Sequence, residues 1–318
     1  MSYIVWMHNG KLPREQVGGK GASLSDLMAA GFKVPDGFCV TADAYRHFVK
    51  SAGIEARVAP ILASLDTSDA ASVRHAAETV SCLVREMPLP DDLKAEISEA
   101  HAQLASTMGS HTAVRSSAIS EDGSAASFAG LYDSYLNMVG EAEVLDAVHR
   151  CYVSLWSQRA VSYRANRGAG ADEAMAVVVM KLVPSETSGI AFTAHPVTGS
   201  LDQVIINSSF GLGEAIVSGR VTPDSFLIDK RNFTLLEREI YPKELAIFPH
   251  PGGGGGVIEE KLGFDRQRAP SLTDEQALDV ARLAAQVETH YGSPQDIEWG
   301  LYDGQLYLLQ SRPITTLG

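Results

Sequence analysis

The chain has 318 residues, of which 45% are hydrophobic and 20% charged, and its formal net charge is −13 at pH 7. This length suits about two domains, and this composition is that of a folded globular protein. The negative charge repels nucleic acid and anionic lipid, so neither is expected as a partner, and a polyanion such as a nucleotide must meet a local cluster of cations.

Cysteine usage and hydropathy indicate the compartment. Cys39, Cys82 and Cys151 lie far apart without a Cys-x-x-Cys pattern, which indicates neither a disulfide framework nor a zinc site. No stretch approaches the ~20 apolar residues that span a bilayer, and the first residues lack the pattern of a leader peptide. We therefore expect a cytoplasmic protein that has no contact with membranes.

The first third of the chain predicts a helix-rich α/β region. A glycine-rich bend at residues 18–21 precedes a helix over residues 22–30, which Gly31 ends. A Pro-Asp-Gly turn leads into a strand at residues 38–40, and Thr41 caps the next helix. Further helices are expected near residues 68–86 and 90–106.

The rest of the chain alternates between strands, helices and loops. Residues 113–138 begin with small residues and serines and are a candidate binding loop. Glycines 252–256 form a flexible loop that we interpret as a connector. Thr273 begins a capping box with Gln276, and the helix that follows ends before Gly292. The other predicted elements are a helix over residues 141–167 and strands at 175–183, 189–193 and 203–206.

Three segments carry groups suited to an anion, and each also has a purely structural explanation. Lys20 lies in the glycine-rich bend, which could bring amides and an ammonium to phosphate oxygens although the P-loop spacing is absent. Arg115 could bind an anion or pair with Glu121 or Asp122. Glu214 ends a Gly-Leu-Gly-Glu run, which either places helix amides near an anion or makes a tight turn.

Residues 292–313 are the most informative stretch, because they predict two alternating strands with polar groups on one face. A two-residue Asp-Gly loop would place Glu298 opposite Leu309. A three-residue loop over 303–305 places Glu298 opposite Gln310 and Asp296 opposite Arg312. We predict the three-residue loop, since it gathers hard oxygen ligands suited to Mg²⁺ beside a guanidinium suited to phosphate. The alternative is a half-exposed hairpin with a surface salt bridge.

Together these segments resemble the nucleotide-binding domain shared by phosphoenolpyruvate synthase, pyruvate phosphate dikinase, rifampicin phosphotransferase and phenylphosphate synthase. The resemblance spans nearly the whole chain and consists of several motifs in the same order. They are Val17–Leu24, Val34–Phe38, Ala113–Ala118 with Glu121 and Asp122, Ser127–Gly130, Ser188–Thr193, Gly211–Glu214, Pro223–Asp224, Gln295–Trp299 and Gln310–Pro313.

The resemblance implies an α+β chain with the ATP-grasp fold, in which two α/β subdomains clamp ATP. We expect residues 1–195 to form the N-terminal subdomain and residues 196–318 to form the C-terminal subdomain that carries the hairpin. Lys20 and Arg115 would meet the phosphates, and Arg312 would brace the phosphate being transferred, so these three are the expected catalytic residues.

The resemblance also implies ATP and Mg²⁺ as cofactors. Glu298 and Gln310 would hold Mg²⁺, with Asp296 nearby, so the expected metal set is Asp296, Glu298 and Gln310. Gly130 and Ser134 match the family's loop over the triphosphate. The expected ATP-binding residues are Lys20, Arg115, Gly130, Ser134, Glu214, Glu298, Gln310 and Arg312.

In this family the β-phosphoryl of ATP passes to a histidine on a separate swivelling domain, with AMP and phosphate as co-products, and that histidine phosphorylates the acceptor. The chain contains no Thr-Ser-His type motif, so a phosphohistidine-domain subunit is expected to act in trans. Two residues depart from the family pattern: Met180 stands where Gln is usual, and His195 stands where Asp or Asn is usual.

Three functions are compatible with the resemblance. The first is the ATP-binding subunit of a two-subunit phosphotransferase that activates a phenolic compound, as in phenylphosphate synthase-like systems. The second is an excised ATP-binding domain of a rifampicin phosphotransferase or phosphoenolpyruvate synthase, with a different acceptor. The third is a non-catalytic nucleotide-binding regulatory module, against which the retained charged residues argue.

Overall fold

The computed structural model describes residues 2–108, 111–120, 132–167, 174–252 and 254–315. It confirms a mixed helix and sheet architecture, arranged in two compact units. The first unit takes the described residues up to Asp26 and from Asp36 to Lys181, and the second takes Leu27–Pro35 and the described residues from Leu182 onward. The division after Lys181 differs from the boundary expected at residue 195, because the strand at residues 187–192 pairs within the sheet of the second unit.

The first unit is built on a five-stranded antiparallel sheet in the order β1-β2-β5-β3-β4. Its strands are β1 (Ile4–Trp6), β2 (Gly37–Val40), β3 (His111–Ala118), β4 (Ser134–Val139) and β5 (Met175–Lys181). The helices in this half of the chain are α1 (Arg14–Ala29), α2 (Ala42–Ser51), α3 (Ile54–Ala63), α4 (Ala70–Glu86), α5 (Asp91–Met108), α6 (Gly140–Ser154) and α7 (Gln158–Arg167).

Local signals explain most of these elements. The central strand β5 is buried over Met175–Met180, as its run of valines predicts. The Thr41 hydroxyl accepts the Ala44 amide hydrogen and caps α2 as expected. The single helix predicted over residues 141–167 is instead two helices, because the Ser157 hydroxyl accepts the Ala160 amide hydrogen and caps a new helix. None of the described helices is both long and apolar enough to cross a bilayer.

The second unit is built on a six-stranded antiparallel sheet in the order β13-β12-β6-β7-β8-β9. Its strands are β6 (Thr187–Phe192), β7 (Gln203–Phe210), β8 (Asp224–Asp229), β9 (Thr234–Glu239), β12 (Gln295–Tyr302) and β13 (Gln305–Pro313). The remaining elements are a separate hairpin of β10 (Leu245–Pro249) and β11 (Val257–Lys261) and the helices α8 (Glu214–Val217), α9 (Phe264–Arg268) and α10 (Asp274–Tyr291).

Helix α10 packs on one face of the six-stranded sheet and forms the core of the second unit. Its capping box joins Thr273 and Gln276, and Gly292 ends it with φ of 67°, both as predicted. The core between α10 and the sheet includes eight side chains with no exposed surface: Ala277, Val280, Ala284, Val287, Ile206, Phe226, Ile297 and Trp299. Because strand residues alternate between faces, their neighbours point to the opposite face of the sheet.

Candidate functional site

The face of the sheet opposite α10 carries side chains in rows that run across the strands. One row reads Arg312, Asp296, Phe192, Ile205 and Leu227. The next row reads Gln310, Glu298, Ile190, Asn207 and Ser225. The structure thus places Asp296 opposite Arg312 and Glu298 opposite Gln310, which confirms the predicted register.

The hairpin reaches this register by a different route from the one predicted. Tyr302 pairs with Gln305, so Asp303 and Gly304 form a two-residue turn, and their φ angles of 49° and 68° suit a type I′ turn. A β-bulge then shifts the register, because Trp299 pairs with Leu308 while Glu298 pairs with Gln310. The three-residue loop was therefore wrong, and Leu309 in the bulge supplies the extra residue that the loop was expected to hold.

Arg312 and Asp296 form an ion pair. Arg312 Nε donates to Asp296 Oδ2 at 2.7 Å, and Arg312 Nη2 lies 2.6 Å from the same oxygen. The Asp296 side chain is 7% exposed and that of Arg312 is 28% exposed. Charge-assisted hydrogen bonds of this length fix the direction of a guanidinium. Asp296 thus acts first as the anchor of Arg312, and its expected part in metal binding stays a prediction.

Glu298 and Gln310 supply a carboxylate and an amide oxygen directly across the strand pair. Gln310 is buried, whereas Glu298 is partly exposed. Mg²⁺ prefers hard oxygen ligands and is usually bound by one or two protein groups together with water and substrate phosphates, so this donor pair fits it. Across the described ranges, no group of three or more His, Cys, Asp or Glu side chains is arranged for a metal, so a site here needs the Gln310 amide.

The residues just before Asp296 and Arg312 are held from the core side. The Thr193 amide donates to the Gln295 carbonyl at 2.9 Å, and the Gln295 amide donates to Thr193 Oγ1 at 2.8 Å. Ser311 Oγ donates to Gln295 Oε1 at 2.8 Å. All three residues are buried. Our sequence analysis missed Thr193 and Ser311 as supports, although polar residues at core-facing strand positions were the available signal.

Lys20 follows a break in α1. Gly18 has φ of 70°, and a Cβ there would lie 1.9 Å from the Ser117 carbonyl oxygen, so the position requires glycine. Ser117 Oγ donates to the Val17 carbonyl at 2.7 Å and accepts the Gly21 amide hydrogen at 3.0 Å. Lys20 itself is only 7% exposed. The predicted glycine-rich bend is thus present and is fastened to β3.

Arg115 lies on the same face of β3 as Ser117, because the two residues are two positions apart on a strand. Its neighbours across the sheet are Ser134 on β4 and Val178 on β5. The first unit therefore brings Arg115 next to Ser134, on the face to which the Lys20 bend is attached. Gly130, Glu121 and Asp122 lie outside the described residues.

Glu214 is exposed and begins α8, a helix of four residues. The preceding Gly211 has φ of 77°, and a Cβ there would lie 2.2 Å from the Ile247 carbonyl oxygen. Ser188 Oγ donates to the Gly211 carbonyl at 2.6 Å. This geometry confirms the tight turn, and α8 is too short to offer a helix N-terminus as an anion site. Contact of Glu214 with a nucleotide stays a prediction.

Met180 and His195, the two residues that depart from the family pattern, lie in different surroundings. Met180 is 2% exposed and packs in β5 opposite Gly37, where a Cβ would approach the Met180 Cα to 2.7 Å. Met180 therefore lacks the side-chain amide with which Gln could form hydrogen bonds to a base. His195 lies in the loop between β6 and β7, where its Nδ1 accepts the amide hydrogens of Val197 and Thr198, each at 3.2 Å.

Known proteins resemble this chain in sequence. It is 38% identical to phosphoenolpyruvate synthase from Pyrococcus furiosus, over 95% of this chain and 42% of that protein. It is 44% identical to rifampicin phosphotransferase from a Streptomyces species, over 95% of this chain and 34% of that protein. The chain therefore spans less than half the length of these curated relatives.

A solved structure of the dinucleotide-forming acetyl-coenzyme A synthetase 1 from Ca. Korarchaeum cryptofilum aligns with a TM-score of 0.37 and 13% identity, over 68% of this chain and 81% of that one. A similarity at that level carries no argument. Residues 14–318 match the family described as pyruvate phosphate dikinase, AMP/ATP-binding domain. This match covers nearly the whole chain, and it agrees with the two relatives named above. The chain therefore belongs to the pyruvate phosphate dikinase AMP/ATP-binding domain family.

Proposed function

We propose that this chain is the ATP-binding part of a dikinase-type phosphotransferase, which passes the β-phosphoryl of ATP to a histidine on a separate swivelling domain or chain. The observation that carries the proposal is the Arg312–Asp296 ion pair beside Glu298 and Gln310 on one face of the sheet. Membership of an AMP/ATP-binding domain family supports ATP as the bound nucleotide. We also propose the ATP-grasp fold, in which ATP engages residues of both units.

Each candidate residue has a role in this scheme. Arg312, which Asp296 holds in place, stabilises the negative charge on the phosphoryl group during its transfer. Lys20 and Arg115 bind phosphate oxygens, and Ser134, next to Arg115, adds a hydroxyl. Glu298 and Gln310 would hold Mg²⁺, and Asp296 lies beside them. When bound, the metal neutralises phosphate charge. Gly130 and Glu214 are proposed as further nucleotide contacts.

In the proposed transfer, the bond between Pβ and the oxygen that remains with AMP breaks, and a bond between Pβ and an imidazole nitrogen forms. Water then hydrolyses the Pβ–O–Pγ link and releases phosphate. The imidazole proton leaves to solvent. Such a step needs positioning and charge stabilisation more than covalent help from this chain.

For the acceptor, our first candidate is a phenolic hydroxyl, with the phosphohistidine on a separate subunit. The relatives named above suggest a second candidate, in which the acceptor is rifampicin or the precursor of phosphoenolpyruvate. A regulatory module that binds ATP without catalysis is the third. The first two differ in what the phosphohistidine domain does next, whereas the third has no transfer step.

The test mixes the chain with Mg²⁺ and ATP labelled at the β-phosphate, with and without a separately expressed phosphohistidine domain. We expect AMP and a labelled histidine only when that domain is present, and loss of both with Arg312→Ala. ADP formed by the chain alone would contradict the mechanism. Nucleotide binding without AMP in any mixture would favour the regulatory module.

A further inference from the structure

His195 organises the loop between β6 and β7, residues 193–202. Its Nδ1 accepts the amide hydrogens of Val197 and Thr198, each at 3.2 Å. Its backbone closes the same loop, because the His195 amide donates to the Ser200 carbonyl at 2.9 Å and the Gly199 amide donates to the His195 carbonyl at 2.8 Å. Four hydrogen bonds of one loop thus converge on one residue.

These bonds define the state of the ring. A ring nitrogen that accepts hydrogen bonds carries no proton, so the imidazole is neutral with its proton on Nε2. A protonated ring has a donor at Nδ1, which would face two amide hydrogens and lose both bonds. Asp and Asn make the same type of turn through a side-chain oxygen. His195 therefore supplies from its ring the acceptor that Asp or Asn would supply in such a turn.

The loop is connected to the candidate phosphate site. It begins at Thr193, whose amide and hydroxyl are bonded to Gln295, the residue before Asp296. Gln295 in turn accepts from Ser311, the residue before Arg312. The strand positions agree with this, since Phe192 pairs with Asp296. The start of the loop is therefore hydrogen-bonded to the strand that carries Asp296.

The charged groups on the elements around the loop are already paired with one another. Lys230 Nζ, in the turn between β8 and β9, donates to the Thr193 carbonyl and to Glu288 of α10, both at 2.6 Å. Arg231 pairs with Asp202 at the end of the loop, and Arg312 pairs with Asp296. His290 on α10 packs edge-on against Phe32. The acceptor for the Val197 and Thr198 amides therefore comes from the His195 ring.

We propose that His195 is a positioning residue, whose ring acceptor holds loop 193–202 against Thr193 and Gln295. Removal of that acceptor would then release the loop and slow phosphoryl transfer, a second clause that rests on the proposed function. The first clause concerns the loop alone and stands without it.

The test compares the whole chain with His195→Asp and His195→Ala. Nitrogen-15 spectra of the histidine ring should show the Nε2–H form at pH 8, and exchange of the Val197 and Thr198 amides should rise about tenfold in His195→Ala. His195→Asp keeps an acceptor for the two amides and should retain most of this protection. Exchange that is equal in wild type and His195→Ala, or as fast in His195→Asp as in His195→Ala, would overturn the proposal.

A second arm measures transfer to the phosphohistidine domain at pH 8. We expect kcat to fall in His195→Ala, with KM for ATP little changed, and to recover in His195→Asp. An equal loss of kcat in both variants would count against the positioning role. If no transfer occurs with any variant, the proposed function fails, while the exchange data still decide the role of His195.

Discussion

Lys243 and Asp224 form an ion pair that has no exposed side-chain surface, with Lys243 Nζ 2.5 Å from Asp224 Oδ1. The carboxylate also accepts the amide and hydroxyl of Ser271, both at 2.7 Å, and the Tyr241 amide at 3.1 Å. The pair therefore ties the start of β8 to the segments before β10 and α10. This ion pair gives a structural role to Asp224 of the Pro223–Asp224 motif.

We predict that Lys243→Met destabilises the chain by about 3–5 kcal/mol, because it leaves the Asp224 charge buried without its partner. Urea unfolding measures this. The matched control is Asp279→Ala, which breaks an exposed pair with Arg282 and should hardly move the midpoint. Equal effects of the two changes would show that burial of the first pair is not what matters.

Gly18→Ala should disrupt the bend before Lys20. The added Cβ would meet the Ser117 carbonyl oxygen at 1.9 Å and would also force an alanine into positive φ. Gly53→Ala is the control, since Gly53 has φ of 61° with no atom within 4 Å of the added carbon. We expect about 1 kcal/mol for Gly53→Ala and several for Gly18→Ala in urea unfolding. A similar loss at both sites would assign the whole effect to φ.

Arg312→Ala should lower the rate of AMP formation on the order of 10²-fold or more, because it removes a fixed cation from the phosphoryl group. Arg312→Lys should recover little, since an ammonium cannot keep the geometry of the guanidinium on Asp296. Rapid-quench measurement with the phosphohistidine domain gives the rate. Arg282→Ala, which changes a surface arginine of α10, serves as the control, and a comparable loss there would remove the argument for Arg312.

Gln310→Ala should weaken metal binding in the presence of nucleotide by about tenfold or more, because the donor pair loses one of its two oxygens. Mn²⁺ can replace Mg²⁺ as a probe, and its paramagnetic resonance reports the bound fraction. The control is Gln305→Ala, at the exposed end of the same strand, where the side chain only accepts from Lys33. Unchanged Mn²⁺ affinity in Gln310→Ala would take this residue out of the metal set.

Burial lowers the pKa of His149, whose Nε2 lies 3.1 Å from the Val84 carbonyl oxygen. Since the folded-state pKa lies below the unfolded value of about 6.5, the unfolded chain takes up the proton first as the pH falls. The resulting stability is complete above that value and is lost as the pH falls through the folded-state pKa. Urea unfolding between pH 8 and 5 should show a smaller acid loss for His149→Gln than for the wild type.

Local patterns predicted those parts of the fold that local forces set. Helix α10 carries its own start and stop signals in Thr273, Gln276 and Gly292, and the alternation of β12 and β13 separates Asp296 and Glu298 from Ile297 and Trp299. The candidate metal and phosphate groups followed from that alternation. Their assignment to ATP and Mg²⁺ came from the family resemblance and not from the pattern.

The features that the sequence did not reveal depend on distant partners. The bulge at Leu309 forms beside Gly300, where Ser185 Oγ would lie 2.3 Å from an added Cβ, so contacts from another segment fix the strand there. The boundary near residue 181 depends on which sheet accepts β6. The acceptor role of His195 depends on the path of its loop, which a residue type alone does not reveal.

The bulge lies between the site and the hairpin tip, and its position determines which insertions and deletions the hairpin tolerates. Residues 299–308 lie beyond the bulge, so adding or removing one residue from each strand there leaves Glu298 paired with Gln310. Deleting the single residue Leu309 would remove the bulge and also keep Glu298 opposite Gln310 and Asp296 opposite Arg312. The tip can therefore vary in length and accept a fused peptide or label, provided that both strands beyond the bulge change by the same number of residues.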